Sequence, residues 1–129
     1  MSESPLTVEE LLAEARTGLD RLDPVAALAA ANAGAILVDI RSEPQRARDG
    51  VIPDARFIPR NVLEWRLDPR SEHGDGEVAP PGVRVILICH EGYQSSLAAA
   101  TLRRLGVDAT DVVGGFEAWR AAGLPVDAA

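Results

Sequence analysis

The chain of 129 residues is predicted to be an α/β domain with a mostly parallel central sheet and helices on both faces. Short apolar runs of strand length alternate with helical patterns along the chain, which is typical of such sheets. Capping residues, prolines and glycines mark where the helices begin and end. The composition, with 47% hydrophobic residues and one cysteine, is consistent with a single core that contains no disulfide.

The N-terminal third is predicted to contain two helices and a strand. A capping-box pattern begins a helix over residues 7–18. Asp23-Pro24 begins a second, alanine-rich helix that Gly34 ends. The nearly continuous apolar run at 35–40 is expected to be a strand covered on both faces.

The remaining elements follow the same alternation. A second capping-box pattern predicts a short helix over residues 42–50. Further strands are predicted at 56–58, 83–88 and 110–113, and further helices at 61–67, 95–105 and 116–122. Because parallel strands bind ligands at their carboxyl ends, the segments after Ile40, Ile58 and Ile88 are expected to meet at one edge of the sheet.

Composition excludes several classes of function. All 13 basic residues are arginine, and without lysine the chain has neither a Walker phosphate loop nor a Schiff-base residue. The net charge of −7 disfavours nucleic-acid and membrane partners. The polar, acidic segment 1–10 has no pattern of a secretory signal, and no apolar run is long enough to span a membrane. A cytoplasmic protein is expected.

Cys89 lies between the third predicted strand and a helix that begins at Ser95 or Ser96. A tight loop at this place can turn backbone N–H groups toward the sulfur, and the helix dipole adds partial positive charge. Both effects favour a nucleophilic thiolate, and Gly92 permits the positive φ that such a loop needs. A buried structural cysteine is the alternative that the residues leave open.

Three segments resemble signature elements of the rhodanese-like sulfurtransferase family. Residues 38–55 resemble its Asp-x-Arg and Gly-His-Ile-Pro-Gly-Ala elements. Residues 89–95, Cys-His-Glu-Gly-Tyr-Gln-Ser, resemble its active-site loop Cys-x-x-Gly-x-Arg-Ser. Residues 114–126 resemble its closing Gly-Gly-x-x-x-Trp and Gly-x-Pro-Val elements. The three segments occur in this order over residues 23–126, and the chain is therefore similar to a single-domain rhodanese.

The resemblance implies a three-layer rhodanese-like fold over residues 23–129, preceded by an N-terminal helical extension at 1–22. It also implies a thiosulfate sulfurtransferase that needs no metal or organic cofactor. Cys89 would take the sulfane sulfur of a donor such as thiosulfate and pass it, as a persulfide, to cyanide or a thiol. A protein can also serve as the sulfur acceptor. The expected substrate-binding residues of the loop are His90, Glu91, Gly92, Tyr93, Gln94 and Ser95.

The chain departs from the family pattern at four positions. Val51 and Asp54 replace a histidine and a glycine in what is expected to be a turn. Gln94 stands where an arginine often ends the loop, and Glu91 adds an acid to it. Related phosphatases have a loop one residue longer that ends in arginine, which disfavours hydrolysis of phosphate esters. A persulfide carrier or interaction module without turnover, and a phosphatase or reductase relative, stay open as alternatives.

Arginine is unevenly distributed, and this suggests where an anionic donor binds. Residues 41–70 contain seven arginines and five acids, although the whole chain is acidic. We expect Arg41, and less directly Arg60, to supply the positive charge that the loop lacks, because guanidinium groups bind sulfonate oxygens well. The alternatives are a structural pair between Arg41 and a nearby carboxylate such as Glu43, and a solvated surface position for Arg60.

Several other residues have simpler interpretations. His90 is expected to face solvent, with a proton shuttle as its alternative. His73 and its acidic neighbours form a loose, solvated loop, and no metal site is expected there. Asp39 is expected to accept backbone hydrogen bonds at a turn. Three aromatic side chains are expected to face the core: Trp65, Phe116 and Trp119.

Overall fold

The computed structural model describes residues 4–129, so the first three residues of the segment examined for a secretory signal lie outside the described residues. The helices are α1 (Val8–Arg16), α2 (Pro24–Asn32), α3 (Glu43–Asp49), α4 (Leu63–Leu67), α5 (Gln94–Arg104) and α6 (Gly115–Ala121). The strands are β1 (Ile36–Asp39), β2 (Arg56–Phe57), β3 (Arg84–Ile88) and β4 (Asp108–Asp111). A short 3₁₀ turn, Arg60–Val62, precedes α4.

The four strands form one parallel sheet in the order β2-β1-β3-β4. In the register, Asp39 lies opposite both Phe57 of β2 and Ile88 of β3. The predicted α/β architecture is therefore confirmed. Because β3 has a neighbour on each side, the residue that follows it, Cys89, lies at the middle of the carboxyl edge.

The two capping-box patterns in the sequence form helix N-caps in the structure. The Thr7 hydroxyl accepts from the Glu10 N–H and the Glu10 carboxylate accepts from the Thr7 N–H, which completes the first capping box. Ser42 and Gln45 make the same pair of bonds at α3. Such caps satisfy N–H groups that a helix leaves without intrahelical partners.

Helices cover both faces of the sheet, and side chains alternate between them. On one face, Val38, Val85 and Leu87 pack with residues of α4 and α5. On the other face, Ile86 and Ile88 pack with a second group, Ala27 of α2 and Phe116 and Trp119 of α6. The core-facing positions predicted for Phe116 and Trp119 are confirmed. No helix within residues 4–129 has the length and apolar character that a membrane span needs.

Two predictions about individual elements were wrong. The fourth strand is Asp108–Asp111 and not 110–113, because pairing with β3 begins at Arg84 opposite Asp108. Trp65 is 58% exposed and does not face the core. The helix α4 is one turn long and turns Leu63 and Leu67 inward, which leaves Trp65 on its outer side.

Candidate active site

Cys89 is only 2% exposed and begins a loop that connects β3 to α5. Its Sγ accepts a hydrogen bond from the backbone N–H of Gly92 at 3.1 Å. Gly92 has a φ of +89°, a conformation that glycine adopts without steric cost. The loop therefore folds back so that one of its own amides points at the sulfur.

The N-terminus of α6 holds two carbonyl groups of the loop. The Phe116 N–H donates to the Cys89 carbonyl at 2.8 Å, and the Glu117 N–H donates to the His90 carbonyl at 3.0 Å. The peptide bonds are trans, so each carbonyl points opposite to the N–H of the next residue. The amides of His90 and Glu91 consequently point away from α6.

Five further N–H groups of the loop and of the first turn of α5 make no hydrogen bond within the described residues 4–129. They belong to His90, Glu91, Tyr93, Gln94 and Ser95. No side chain caps the N-terminus of α5. Together with the Gly92 amide, these groups are donors that a negatively charged sulfur or a bound anion can use.

Gly115 lets α6 approach the loop this closely. A Cβ atom at Gly115 would lie 2.5 Å from the Cys89 carbonyl oxygen and 2.7 Å from the Gly92 nitrogen. A Cβ atom at Gly92 would in turn lie 2.9 Å from the Gly114 nitrogen. These distances give a physical reason for the Gly114-Gly115 pair noted in the sequence.

The loop side chains point in different directions. Glu91, Tyr93 and Gln94 are exposed. The central guanidinium carbon of Arg16 lies 5.9 Å from the centre of the Tyr93 ring. The Ser95 side chain is buried and donates to the Asp111 carboxylate at 2.7 Å. The Ser95 hydroxyl is therefore used to bind Asp111. Only the backbone N–H of Ser95 is free to bind a substrate.

The segments that follow β1, β2 and β3 border one cavity of about 520 Å³. Its lining includes Arg41, Phe57, Arg60, Asn61 and Gln94. This is the edge at which the three segments were expected to meet. The Arg60 guanidinium is 33% exposed and forms an ion pair with Glu64 at 2.7 Å, so part of its charge is already compensated.

Arg41, which was expected to bind the donor, makes extensive structural contacts. Its side chain is completely buried, with hydrogen bonds to both Asp39 carboxylate oxygens at 3.1 and 2.8 Å and to the Gly50 carbonyl at 2.8 Å. Its guanidinium also stacks on Phe116 at 3.8 Å. These contacts match the structural alternative, with Asp39 as partner in place of Glu43. Asp39 also accepts from the Arg41 N–H at 3.0 Å, as its predicted role at the turn requires.

Residues 23–122 match the family model of the rhodanese-like domain. The chain belongs to the rhodanese-like family. The thiosulfate sulfurtransferase GlpE of Pseudomonas syringae pv. syringae (strain B728a) is 34% identical over 105 residues, which cover 81% of this chain and 90% of that protein. The GlpE of Stutzerimonas stutzeri (strain A1501) is 34% identical over 106 residues, with 81% and 87% covered. These relatives support a sulfurtransferase activity.

A solved structure from Rhodopseudomonas palustris CGA009 is also similar. It is described as a protein of unknown function, RPA3614, and a "possible tyrosine phosphatase". It aligns with a TM-score of 0.86 and 30% identity over 98% of this chain and 99% of that one. Because the alignment covers nearly the whole chain, the similarity includes the segment that precedes the matched rhodanese-like domain.

The positive charge of the arginine-rich stretch 41–70 is largely neutralised by ion pairs. Six of its seven arginines pair with carboxylates: Arg41, Arg46, Arg48, Arg60, Arg66 and Arg70. The excess of arginine over acid in the sequence therefore does not produce a strongly positive site.

His90 does not simply face solvent, because its imidazole lies between two carboxylates. Nε2 is 3.2 Å from Glu117 and Nδ1 is 3.9 Å from Asp49, and the three side chains could together hold a metal ion. Both carboxylates, however, already have arginine partners. The hydrogen bond from Arg48 lowers the pKa of Asp49 from its ordinary value of 3.8, with Arg120 contributing. Arg120 also pairs with Glu117 at 2.8 Å.

Three residues that support the rhodanese-like loop were missed in the sequence. Asp111 is fully buried at the end of β4, and Arg21 and Arg16 approach the loop from the N-terminal segment. A charged residue at the end of an otherwise buried strand was the available signal for Asp111, because a buried carboxylate needs partners. For the two arginines, nothing in the sequence indicated contact with a loop more than 70 positions away.

Proposed function

We propose that this protein is a sulfurtransferase that carries sulfur as a persulfide on Cys89. The observation that carries the proposal is the arrangement of the loop around the sulfur. The Gly92 N–H donates to Sγ, and five more amides of the loop and of the first turn of α5 make no hydrogen bond within residues 4–129. Backbone donors fixed in this way stabilise negative charge without having to reorganise during a reaction.

The reaction consists of two displacements at sulfur. The Cys89 thiolate attacks the sulfane sulfur of thiosulfate, the sulfur–sulfur bond of the donor breaks, and sulfite leaves with the bonding electron pair. An acceptor nucleophile then attacks the terminal sulfur of the persulfide. The Cys89–sulfur bond breaks, the thiolate is regenerated, and the product is thiocyanate from cyanide or a persulfide from a thiol. Such double displacement predicts ping-pong kinetics.

The cavity beside the loop offers a site for the sulfonate group of the donor. Arg60, Asn61 and Gln94 are polar groups of its lining that can donate hydrogen bonds to oxygen. With Gln94 in place of arginine and Glu91 nearby, the negative charge of the donor is balanced less well than in the usual family pattern. We therefore infer weak binding of thiosulfate and slow turnover.

Intact-mass analysis after incubation with thiosulfate tests the proposal. The wild-type protein should gain one sulfur atom, and cyanide should remove it. Cys89→Ser should gain none, and because Cys89 is the one cysteine of the chain, no other thiol can take its place. If the wild-type protein gains no sulfur from any sulfane donor, the proposal is wrong.

The persulfide's rate of removal and a phosphatase assay test the two alternatives. A stable persulfide that cyanide or thiols remove only slowly would indicate a sulfur carrier that serves one partner. The description of the Rhodopseudomonas palustris structure makes a phosphatase assay the matching control. Cys89-dependent hydrolysis of an aryl phosphate would overturn the sulfurtransferase proposal. We expect none, because Gln94 provides no guanidinium for the phosphate group.

A further inference from the structure

Two arginines from the N-terminal segment converge on one carbonyl group of the cysteine loop. Arg16 Nη2 donates to the Gly92 carbonyl at 2.7 Å, and Arg21 Nη2 donates to the same oxygen at 3.0 Å. Arg16 is the last residue of α1, and Arg21 lies in the connection to α2. Both precede residues 23–122, the part of the chain that matches the rhodanese-like domain.

Each guanidinium is itself fixed by further bonds. Arg16 Nε donates to Ser96 Oγ at 3.0 Å, and Arg21 binds both oxygens of Asp111 at 2.8 and 3.1 Å. Asp111 also accepts from the hydroxyls of Ser95 and Ser96 at 2.7 and 2.8 Å. The bonds form a closed network beneath the loop, and rigid surroundings of this kind hold a group in one orientation.

This network determines the orientation of the peptide between Gly92 and Tyr93. The peptide is trans, so a Gly92 carbonyl that points at the two arginines makes the Tyr93 N–H point the opposite way. Glycine readily adopts several backbone conformations, and a flip of this peptide would replace the N–H by a carbonyl oxygen. Two charged donors on one oxygen oppose that flip, because charge-assisted hydrogen bonds are the stronger kind.

We propose that Arg16 and Arg21 are positioning residues for the chemistry of Cys89: by holding the Gly92 carbonyl they keep the Tyr93 N–H available to the anionic sulfur. The part of this inference that concerns sulfur transfer rests on the proposed function. It assigns a role to the N-terminal helix, whose packing on α5 brings Arg16 to the loop. The carbonyls of Cys89 and His90 are held by α6, and that of Gly92 by this arginine pair.

Arg16 is the better residue to replace. Removal of the Arg21 side chain leaves the Asp111 carboxylate buried without its cation, which is strongly destabilising. Arg16→Met removes one donor and retains the Arg21–Asp111 pair, while Arg16→Lys and Arg21→Lys retain a charge. Arg103→Met is the matched control, because Arg103 also donates to a backbone carbonyl, that of Ala109 at 3.3 Å, near the opposite end of α5.

Two rates are measured per folded molecule, with the melting temperature recorded for each variant. They are kcat/KM for thiosulfate and the rate of Cys89 alkylation by iodoacetamide at pH 7, which needs no sulfur donor. Arg16→Met should lower both roughly ten-fold, less than the roughly hundred-fold or greater loss when an oxyanion donor is deleted outright. Arg16→Lys should restore most of each rate, and Arg103→Met should leave both rates unchanged.

The outcomes distinguish this inference from the proposed function. If Arg16→Met lowers the melting temperature but both rates equal those of the wild type, Arg16 only attaches α1 and the inference is wrong. If the alkylation rate falls while the wild-type protein takes up no sulfur, the positioning role stands and the proposed function fails. If sulfur is loaded normally and Arg16→Lys reacts no faster than Arg16→Met, charge at this position has no role and the inference is overturned.

Discussion

Arg41 and Asp39, two positions apart in the chain, form a bidentate ion pair at the carboxyl end of β1 that is almost completely removed from solvent. The same arginine reaches the Gly50 carbonyl and stacks on Phe116. One side chain thus connects β1, the end of α3 and α6 next to the cysteine loop. The residue expected to bind the donor instead holds together the elements that border the site.

Replacing Arg41 should destabilise the protein. We expect Arg41→Met to lower the free energy of unfolding by about 3 kcal/mol, because the buried Asp39 carboxylate loses its bidentate partner and keeps Arg46, at 3.3 Å, as its counter-charge. The double variant Asp39→Asn/Arg41→Met should lose less than Arg41→Met alone. Urea unfolding measures both, with Arg48→Met as the control because its pair with Asp49 is at the surface. A normal stability with a raised KM for thiosulfate would show that Arg41 binds the donor after all.

Adding a methyl group at Gly115 should damage the cysteine loop. Gly115 and Gly123 both have positive φ, +59° and +72°, but only at Gly115 would a Cβ meet the loop backbone. Gly123→Ala should therefore cost about 1–2 kcal/mol of unfolding free energy and leave kcat unchanged. Gly115→Ala should cost more and also lower kcat. Equal effects of the two substitutions on kcat would mean that the close approach of α6 does not shape the site.

Arg60 should contribute modestly to binding of an anionic donor. It lines the cavity beside the loop, but its pair with Glu64 compensates part of its charge. We expect Arg60→Gln to raise the KM for thiosulfate about two- to five-fold, consistent with the roughly 0–1 kcal/mol of a partly exposed charge contact. Glu64→Gln, which frees the guanidinium, should lower KM. Arg66→Gln removes an arginine of similar exposure outside the cavity and should have no effect on KM.

Acid should disrupt the pair between Asp75 and Arg66. The hydrogen bond from Arg66 and the N–H groups of Val78 and Glu77 lower the pKa of Asp75 from its ordinary value of 3.8. A lowered carboxyl pKa means that the pair stabilises the folded chain above pH 3.8 and that this contribution is lost as the pH falls through the folded-state pKa. An NMR titration should find that pKa below 3.8, and Arg66→Gln should raise it. A pKa unchanged by that substitution would contradict the assignment.

Much of the fold could be predicted because its signals are local. The capping boxes at Thr7 and Ser42 and the apolar runs of β1 and β3 depend on neighbours a few positions away. The errors arose where longer-range pairing decides the structure. The register of β4 is set by β3, and the outward position of Trp65 is set by which side of a one-turn helix the core covers.

By itself, the sequence determined where the proposed nucleophile lies. A single cysteine directly after an apolar strand and before a helix must lie at the carboxyl edge of a parallel sheet. The tertiary structure alone decided what the arginines do. A guanidinium binds whichever carboxylate or carbonyl the fold brings within reach, and this depends on the packing of elements distant in the chain. Arg41 therefore turns inward to Asp39, while Arg16 and Arg21 reach the carbonyl of Gly92.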